Sequence, residues 1–153
     1  MEPLVGIVIG STNDRDLVAP ALQTLEKYGV PHELSVMSAH RTAEKVRAYA
    51  IAAEGRGIKV LIAVAGYAAH LPGVLASWSM LPVIGVPLPS SELRGVDSLL
   101  SIAQMPEGIP VAAMGIGKSG CRNAALLAIQ MLALQDERYK VAYRSYRENL
   151  ASR

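Results

Sequence analysis

Ser38-Ala39-His40-Arg41-Thr42 sets an imidazole beside a guanidinium just after a short apolar run. Imidazole changes protonation near neutral pH, and the guanidinium fork pairs with phosphate or carboxylate. Together they predict proton transfer on an anionic substrate, with a solvated charged loop as the structural alternative. Gly10-Ser11-Thr12-Asn13-Asp14 is a second polar turn, leading into a helical pattern. Free N–H groups and the helix dipole favour an anion there, although Ser, Asn and Asp are also preferred helix caps. In Ala65-Gly66-Tyr67-Ala68-Ala69-His70-Leu71-Pro72-Gly73, small residues let backbone N–H groups approach a ligand closely. Tight packing of a helix on a sheet asks for the same residues. On residue type alone, His70 reads as a core histidine and His32 as a surface or strand-edge one.

Other candidates carry less. Ala112, followed by Gly117-Lys118-Ser119, is a loosened phosphate-loop pattern that would suit a nucleotide triphosphatase or kinase. Against it, residues 113–116 read as a strand, and no later apolar strand ends in a magnesium-binding Asp. The three histidines have no helical pair spacing, and Cys121 is the single cysteine, so no metal site is expected. Cys121 lies near a helix start, where a thiol pKa can fall, but a small buried helix residue is the simpler reading.

These loops need elements to position them. Apolar, β-branched runs at 4–9, 60–64, 83–86 and 111–116 read as strands covered on both faces of a parallel sheet. The more mixed run 33–37 suits a place nearer an edge. Helical patterns cover 16–28, 43–54 and 120–134, and a short helix fits between the strands at 60–64 and 83–86. Over 137–150, Tyr139, Tyr143, Tyr146 and Leu150 form one apolar face at helical spacing. Strand–loop–helix repeats without a linker predict one doubly wound α/β domain, with ligands at the carboxyl ends of the strands.

Composition narrows the classes. The 153 residues are 51% hydrophobic and 18% charged, which excludes a disordered chain. A net charge of +2 is too small for nucleic-acid binding through counterion release. One cysteine excludes an internal disulfide framework and fits a reducing compartment. Met1-Glu2-Pro3 lacks the basic start of a signal peptide. The uncharged stretch between Lys59 and Glu92 is long enough to span a bilayer, but Gly66, His70, Pro72, Gly73 and Pro82 interrupt it.

Taken together, the loops resemble the PurE family of N5-carboxyaminoimidazole ribonucleotide mutases of purine biosynthesis. The likeness rests on Gly10, Ser11 and Asp14, on Ser38-Ala39-His40-Arg41-Thr42 and on Ala68-Ala69-His70-Leu71-Pro72-Gly73. Gly95-Val96-Asp97-Ser98-Leu99-Leu100-Ser101-Ile102, Gln104-Met105-Pro106, Ile109-Pro110-Val111 and Asn123-Ala124-Ala125-Leu126-Leu127-Ala128 extend it across most of the chain. The resemblance implies a flavodoxin-like three-layer α/β/α fold over 1–135, with a C-terminal amphipathic helix over 136–153 in the same domain or on a neighbouring subunit. It implies a cytoplasmic homo-octameric isomerase without cofactor or metal, which moves a carboxyl group from the exocyclic nitrogen to C4 of an aminoimidazole. It makes His40 the proton-transfer residue. It assigns Ser11 and Asp14 to the ribose phosphate, Ser38 and Arg41 to the phosphate side, and Gly66, Ala68, Ala69, His70 and Leu71 to the base and migrating carboxylate.

Departures from the family pattern are Tyr67, where a glycine is usual, Ala43 in place of a common proline, and a shorter tail. If the usual glycine has a positive φ, Tyr67 adds backbone strain, and its phenol either narrows the pocket or points away. The alternatives are a carboxylase of the same family using free CO2, or a paralogue that binds nucleotide without turnover. Ala69-His70-Leu71-Pro72-Gly73 favours the mutase.

Overall fold

The computed structural model describes residues 2–152; Met1 and Arg153, the outer ends of the two expected segments, lie outside the described residues. The chain alternates β1 (Val5–Ile9), α1 (Arg15–Lys27), β2 (His32–Val36), α2 (Ala43–Ala53), β3 (Val60–Ala65), α3 (Leu71–Trp78) and β4 (Val83–Pro87). It continues with α4 (Val96–Ala103), β5 (Ala112–Ala113), α5 (Lys118–Ala133) and α6 (Glu137–Ala151). All strand pairs are parallel, in the order β2-β1-β3-β4-β5. That is the flavodoxin-like order, with a switch point between β1 and β3 where successive crossovers leave in opposite directions.

Side chains alternate across the sheet and build two cores. Ile7, Ile9, Ile62, Val64, Ile84 and Val86 join α1 and α5 on one face. Val8, Leu61 and Ala63 meet α2, α3 and Ile102 of α4 on the other. β1, β3 and β4 are buried along their whole length, whereas β2 lies at the sheet edge and is only half-buried. This is the division that continuous as against mixed hydrophobicity predicted. α6 docks through Tyr139, which is 5% exposed, while Tyr146 meets the Tyr28 ring edge-on at 6.1 Å and Leu150 stays exposed.

Two elements differ from expectation. β5 covers Ala112–Ala113 rather than 111–116. After Met114 donates its N–H to the Gly85 carbonyl, the chain turns beneath α5. A Cβ on Gly120 would lie 1.7 Å from the Gly115 carbonyl oxygen, so that crossing admits only glycine. Residues 114–117 are therefore loop, and the strand argument against a phosphate loop fails. The second argument stands, since no strand follows α5 among the described residues. α4 was not expected as a helix; it is capped by Gly95, whose φ of +92 reverses the chain beside Ile116.

Candidate active site

Because β2, β1 and β3 are neighbours, the loops after them converge at the switch point. They enclose a cleft of about 670 Å³, closed on one side by Ser90 after β4. Ser11, Asp14, Ser38, His40, Arg41, Gly66, Ala68, His70 and Leu71 all line it. Ala69 does not. It is 2% exposed and packs in the core behind the wall.

His70 is not the core histidine its residue type suggested. It stands exposed immediately before α3, because Ala69 takes the inward position at that turn. Its Nδ1 lies 2.6 Å from Nε2 of His40, one nitrogen donating its hydrogen to the other. The rings meet edge-on, 84° apart, with centroids separated by 4.8 Å. A proton on both facing nitrogens would break this contact, so the pair holds a single hydrogen between them.

Arg41, in the same cleft, is braced by its own loop and by the loop after β1. Its main-chain N–H and Nε donate to Ser38 Oγ at 3.2 and 3.4 Å, and Nη2 donates to the Gly10 carbonyl at 3.3 Å. Thr42 supports the turn, because its hydroxyl accepts from the Ser38 N–H at 2.8 Å. Among the described residues Arg41 has no carboxylate partner, so its positive charge faces the cleft uncompensated.

Ser11 serves as the cap its type allowed, its Oγ accepting from the Asn13 N–H at 3.2 Å. Burial raises the Asp14 carboxyl above its ordinary range, partly offset by a backbone hydrogen bond from Ser11. Gly66 has a steric reason, since an added Cβ would meet Ser90 Oγ at 2.6 Å. Tyr67 takes φ +54 and is among the residues lining the cleft, 62% exposed. Residue type alone did not single out Leu17 or Ser90, which also line the cleft. A Ser-rich loop following β4, a strand of the same sheet, was the available signal for Ser90.

His32 sits in β2 with Nδ1 2.8 Å from the Val30 carbonyl, away from the cleft. Cys121 is buried and its thiol pushed up to about 12, mainly by burial, so it is no activated nucleophile. Lys118 opens α5 as an exposed residue outside the cleft. Among the described residues no group of three or more His, Cys, Asp or Glu is placed to hold a metal ion. A second cavity of about 730 Å³ opens between α1, α5 and α6, lined by Lys27, Tyr28, Arg122 and Tyr146 among others. Its walls carry neither imidazole nor carboxylate, so it lacks a group that moves protons near neutrality.

The family model described as AIR carboxylase matches residues 4–153. An N5-carboxyaminoimidazole ribonucleotide mutase from Pyrococcus abyssi is 53% identical over 148 residues, 97% of this chain and 84% of the relative. The protein of the same name from Bacillus subtilis is 56% identical over 137 residues, 90% of this chain and 85% of the relative. The crystal structure of Treponema denticola PurE superposes with a TM-score of 0.88 at 31% identity, covering 98% of this chain and 92% of that one. These matches span almost the whole chain in sequence and in fold, cleft included, and the chain belongs to the AIR carboxylase family.

Proposed function

We propose that the protein is an N5-carboxyaminoimidazole ribonucleotide mutase of purine biosynthesis. The observation that carries this reading is the hydrogen-bonded His40–His70 pair lining the same cleft as Arg41, in a chain whose relatives bear that name. Arg41, Ser38 and Ser11 hold the phosphate, and the Asp14 carboxylate accepts from a ribose hydroxyl. Gly66, Ala68 and Leu71 form close walls around the base and the carboxylate, backed by Ala69. Bidentate and charge-assisted contacts suit the phosphate end, and small residues suit the flat ring.

The chemistry balances on one imidazole. His40 gives a proton to the exocyclic nitrogen as its bond to the carboxyl carbon breaks, with the electron pair staying on nitrogen and CO2 leaving. C4 of the ring attacks that CO2, and His40 takes back the proton that C4 then loses. Proton transfer of this kind contributes typically 10²–10⁴-fold. His70 holds the His40 ring in one tautomer and orientation. The ring carbon is an enamine nucleophile in its own right, so the reaction calls for neither an electron sink nor a metal.

The working form is a cytoplasmic homo-octamer in which 1–135 and the C-terminal helix make one domain. Supporting this are the exposed apolar side chains of Trp78, Met80, Leu93, Val96 and Leu100, which suit subunit contacts, and the docking of Tyr139 on the core. The partner is a small phosphorylated substrate rather than nucleic acid or membrane. Among the described residues no helix is long and apolar enough to cross a bilayer.

The test is conversion of fresh N5-carboxyaminoimidazole ribonucleotide without ATP or added metal, followed through absorbance of the C4-carboxylated product. Conversion unaffected by excess bicarbonate is the expected result. Activity only on aminoimidazole ribonucleotide with CO2 would move the chain to the direct carboxylase, the reading that the family's description favours. Stabilisation by the ribonucleotide with no turnover in either assay would make it a binding paralogue.

A further inference from the structure

We infer that the Ser90 hydroxyl binds the substrate, donating its hydrogen to an oxygen of the migrating carboxyl group. The inference rests on the mutase reading above and extends it to a residue that reading does not use. Leu88 donates its N–H to the Ala65 carbonyl at 3.0 Å, which holds the ends of β3 and β4 side by side. Two residues further on, the chain meets the start of the loop after β3. A Cβ built on Gly66 would lie 2.6 Å from Ser90 Oγ, so the hydroxyl occupies the space that a Gly66 side chain would take in the wall of the cleft. Three hydroxyls stand between β4 and the first turn of α4, and two of them serve the fold. Ser91 Oγ accepts from the Leu93 N–H at 3.0 Å, and Ser98 Oγ is buried within 2.9 Å of the Leu88 carbonyl and 3.0 Å of the Gly95 carbonyl. Ser90 Oγ has no hydrogen-bond partner among the described residues, and of the three serines only Ser90 lines the cleft.

Strand order decides which part of the substrate this hydroxyl meets. Ser11, Ser38 and Arg41, the phosphate contacts, follow β1 and β2, whereas Ser90 follows β4. β4 lies two strand positions beyond β1, about 10 Å at ordinary strand spacing. A ribonucleotide anchored by its phosphate at Arg41 therefore runs across β3, with its heterocycle toward Gly66 and Ser90. The heterocycle is the part that carries the carboxyl group. As carbamate and as ring carboxylate that group is an anion with two acceptor oxygens. A hydroxyl without a partner in the protein can donate to one of them in both states. Ser90 moves no proton itself, and that task stays with His40.

The experiment titrates the full-length protein by calorimetry with aminoimidazole ribonucleotide and with its C4-carboxylated derivative, which differ by the carboxyl group alone. Turnover of the same samples is measured alongside. Ser90→Ala should bind the carboxylated compound about tenfold more weakly, the size of one hydrogen bond to a charged acceptor, with affinity for the uncarboxylated one within about twofold of wild type. Its kcat/KM should fall by a similar factor. Ser90→Cys keeps an atom beside Gly66 but has only a weak S–H donor, and should match Ser90→Ala. Both substitutions fall at an exposed position and should leave the melting temperature near that of the wild type. Equal weakening of the two ligands would overturn the inference, since a loss of packing on Gly66 moves both together. Recovery in Ser90→Cys would overturn it too, making Ser90 a filler of space, and so would unchanged affinities. Wild-type protein that transfers no carboxyl group would sink the mutase reading and this inference with it. An active wild type with any of those variant results would sink the inference alone.

Discussion

Two cavities of similar size sit at opposite ends of α1, about 670 Å³ at its first turn and about 730 Å³ at its last. The first collects loops from four parallel strands, and so gathers groups distant in sequence: His40 and His70, Arg41 and the Gly10 carbonyl. The second is walled by three helices whose exposed side chains have local explanations. Lys27 lies in the last turn of α1, where the negative end of the helix dipole favours a cation, and its ammonium sits 5.5 Å from the Tyr28 ring centre. Volume therefore does not distinguish a site from a seam. Convergence of titratable groups from separate elements does, and a parallel sheet provides it at the carboxyl ends of its strands.

The comparison is broken most easily at His40. Replacing it with Asn should lower kcat by roughly 10³-fold or more, beyond what substrate binding loses, as removal of the group assigned to carry the proton requires. Near-normal turnover would leave the cleft without its proton carrier. On the other side of α1, Tyr139→Ala should destabilise the fold by about 3 kcal/mol through the cavity it leaves, read as a lower denaturation midpoint. The kcat per folded molecule should stay unchanged, and a selective fall in kcat would tie the α6 seam to catalysis.

Arg41→Ala sharpens the contrast within the cleft. It should raise KM about 10–100-fold with a smaller change in kcat, the loss expected for charge-assisted contacts to an anion. An unchanged KM would remove Arg41 from the phosphate end. Its counterpart is Arg122→Ala in the other cavity, which should leave kcat/KM within about twofold, since side chains away from a site rarely matter more.

Asp14 gives the smallest and most pH-dependent effect. Its folded carboxyl is raised by burial, so ionising it disfavours the native state. The associated stability is present below the unfolded carboxylate range and lost as pH rises through the raised folded value. Asp14→Asn should therefore melt slightly higher than wild type at pH 7, with the advantage vanishing as pH falls into the ordinary carboxylate range. The same substitution should weaken substrate binding. Equal melting of the two proteins across that pH range would show that burial does not strain Asp14.

Much of this was legible because its causes are local. Continuous β-branched runs marked β1, β3 and β4 as buried on both faces, and the mixed run at 33–37 marked β2 as the edge strand. The side-by-side His40 and Arg41 marked the loop after β2. Misreadings came where a non-local contact decides. β5 was drawn too long because its apolar residues continue past the point where Gly115 must pass under Gly120. Residue type alone reads His70 as a core residue, against the resemblance that puts it in the wall of the site, because its apolar neighbours hide which of Ala69 and His70 turns inward. Ala69 was expected at the base with its neighbours, and the same turn puts it behind the wall.

The sequence by itself determined a single doubly wound α/β chain, the loops that carry chemistry, the residue types suited to a phosphate and to a proton, and the family they resemble. Those properties follow from periodicity and side-chain chemistry, which operate over a few residues. Only the tertiary structure decided that His40 and His70, thirty positions apart, share one hydrogen across the end of β1, and that Tyr67 joins the cleft lining in a left-handed conformation. Strand order sets the first, and the second belongs to a loop that packs on Ser90 through Gly66, so both involve contacts between segments that no local pattern encodes.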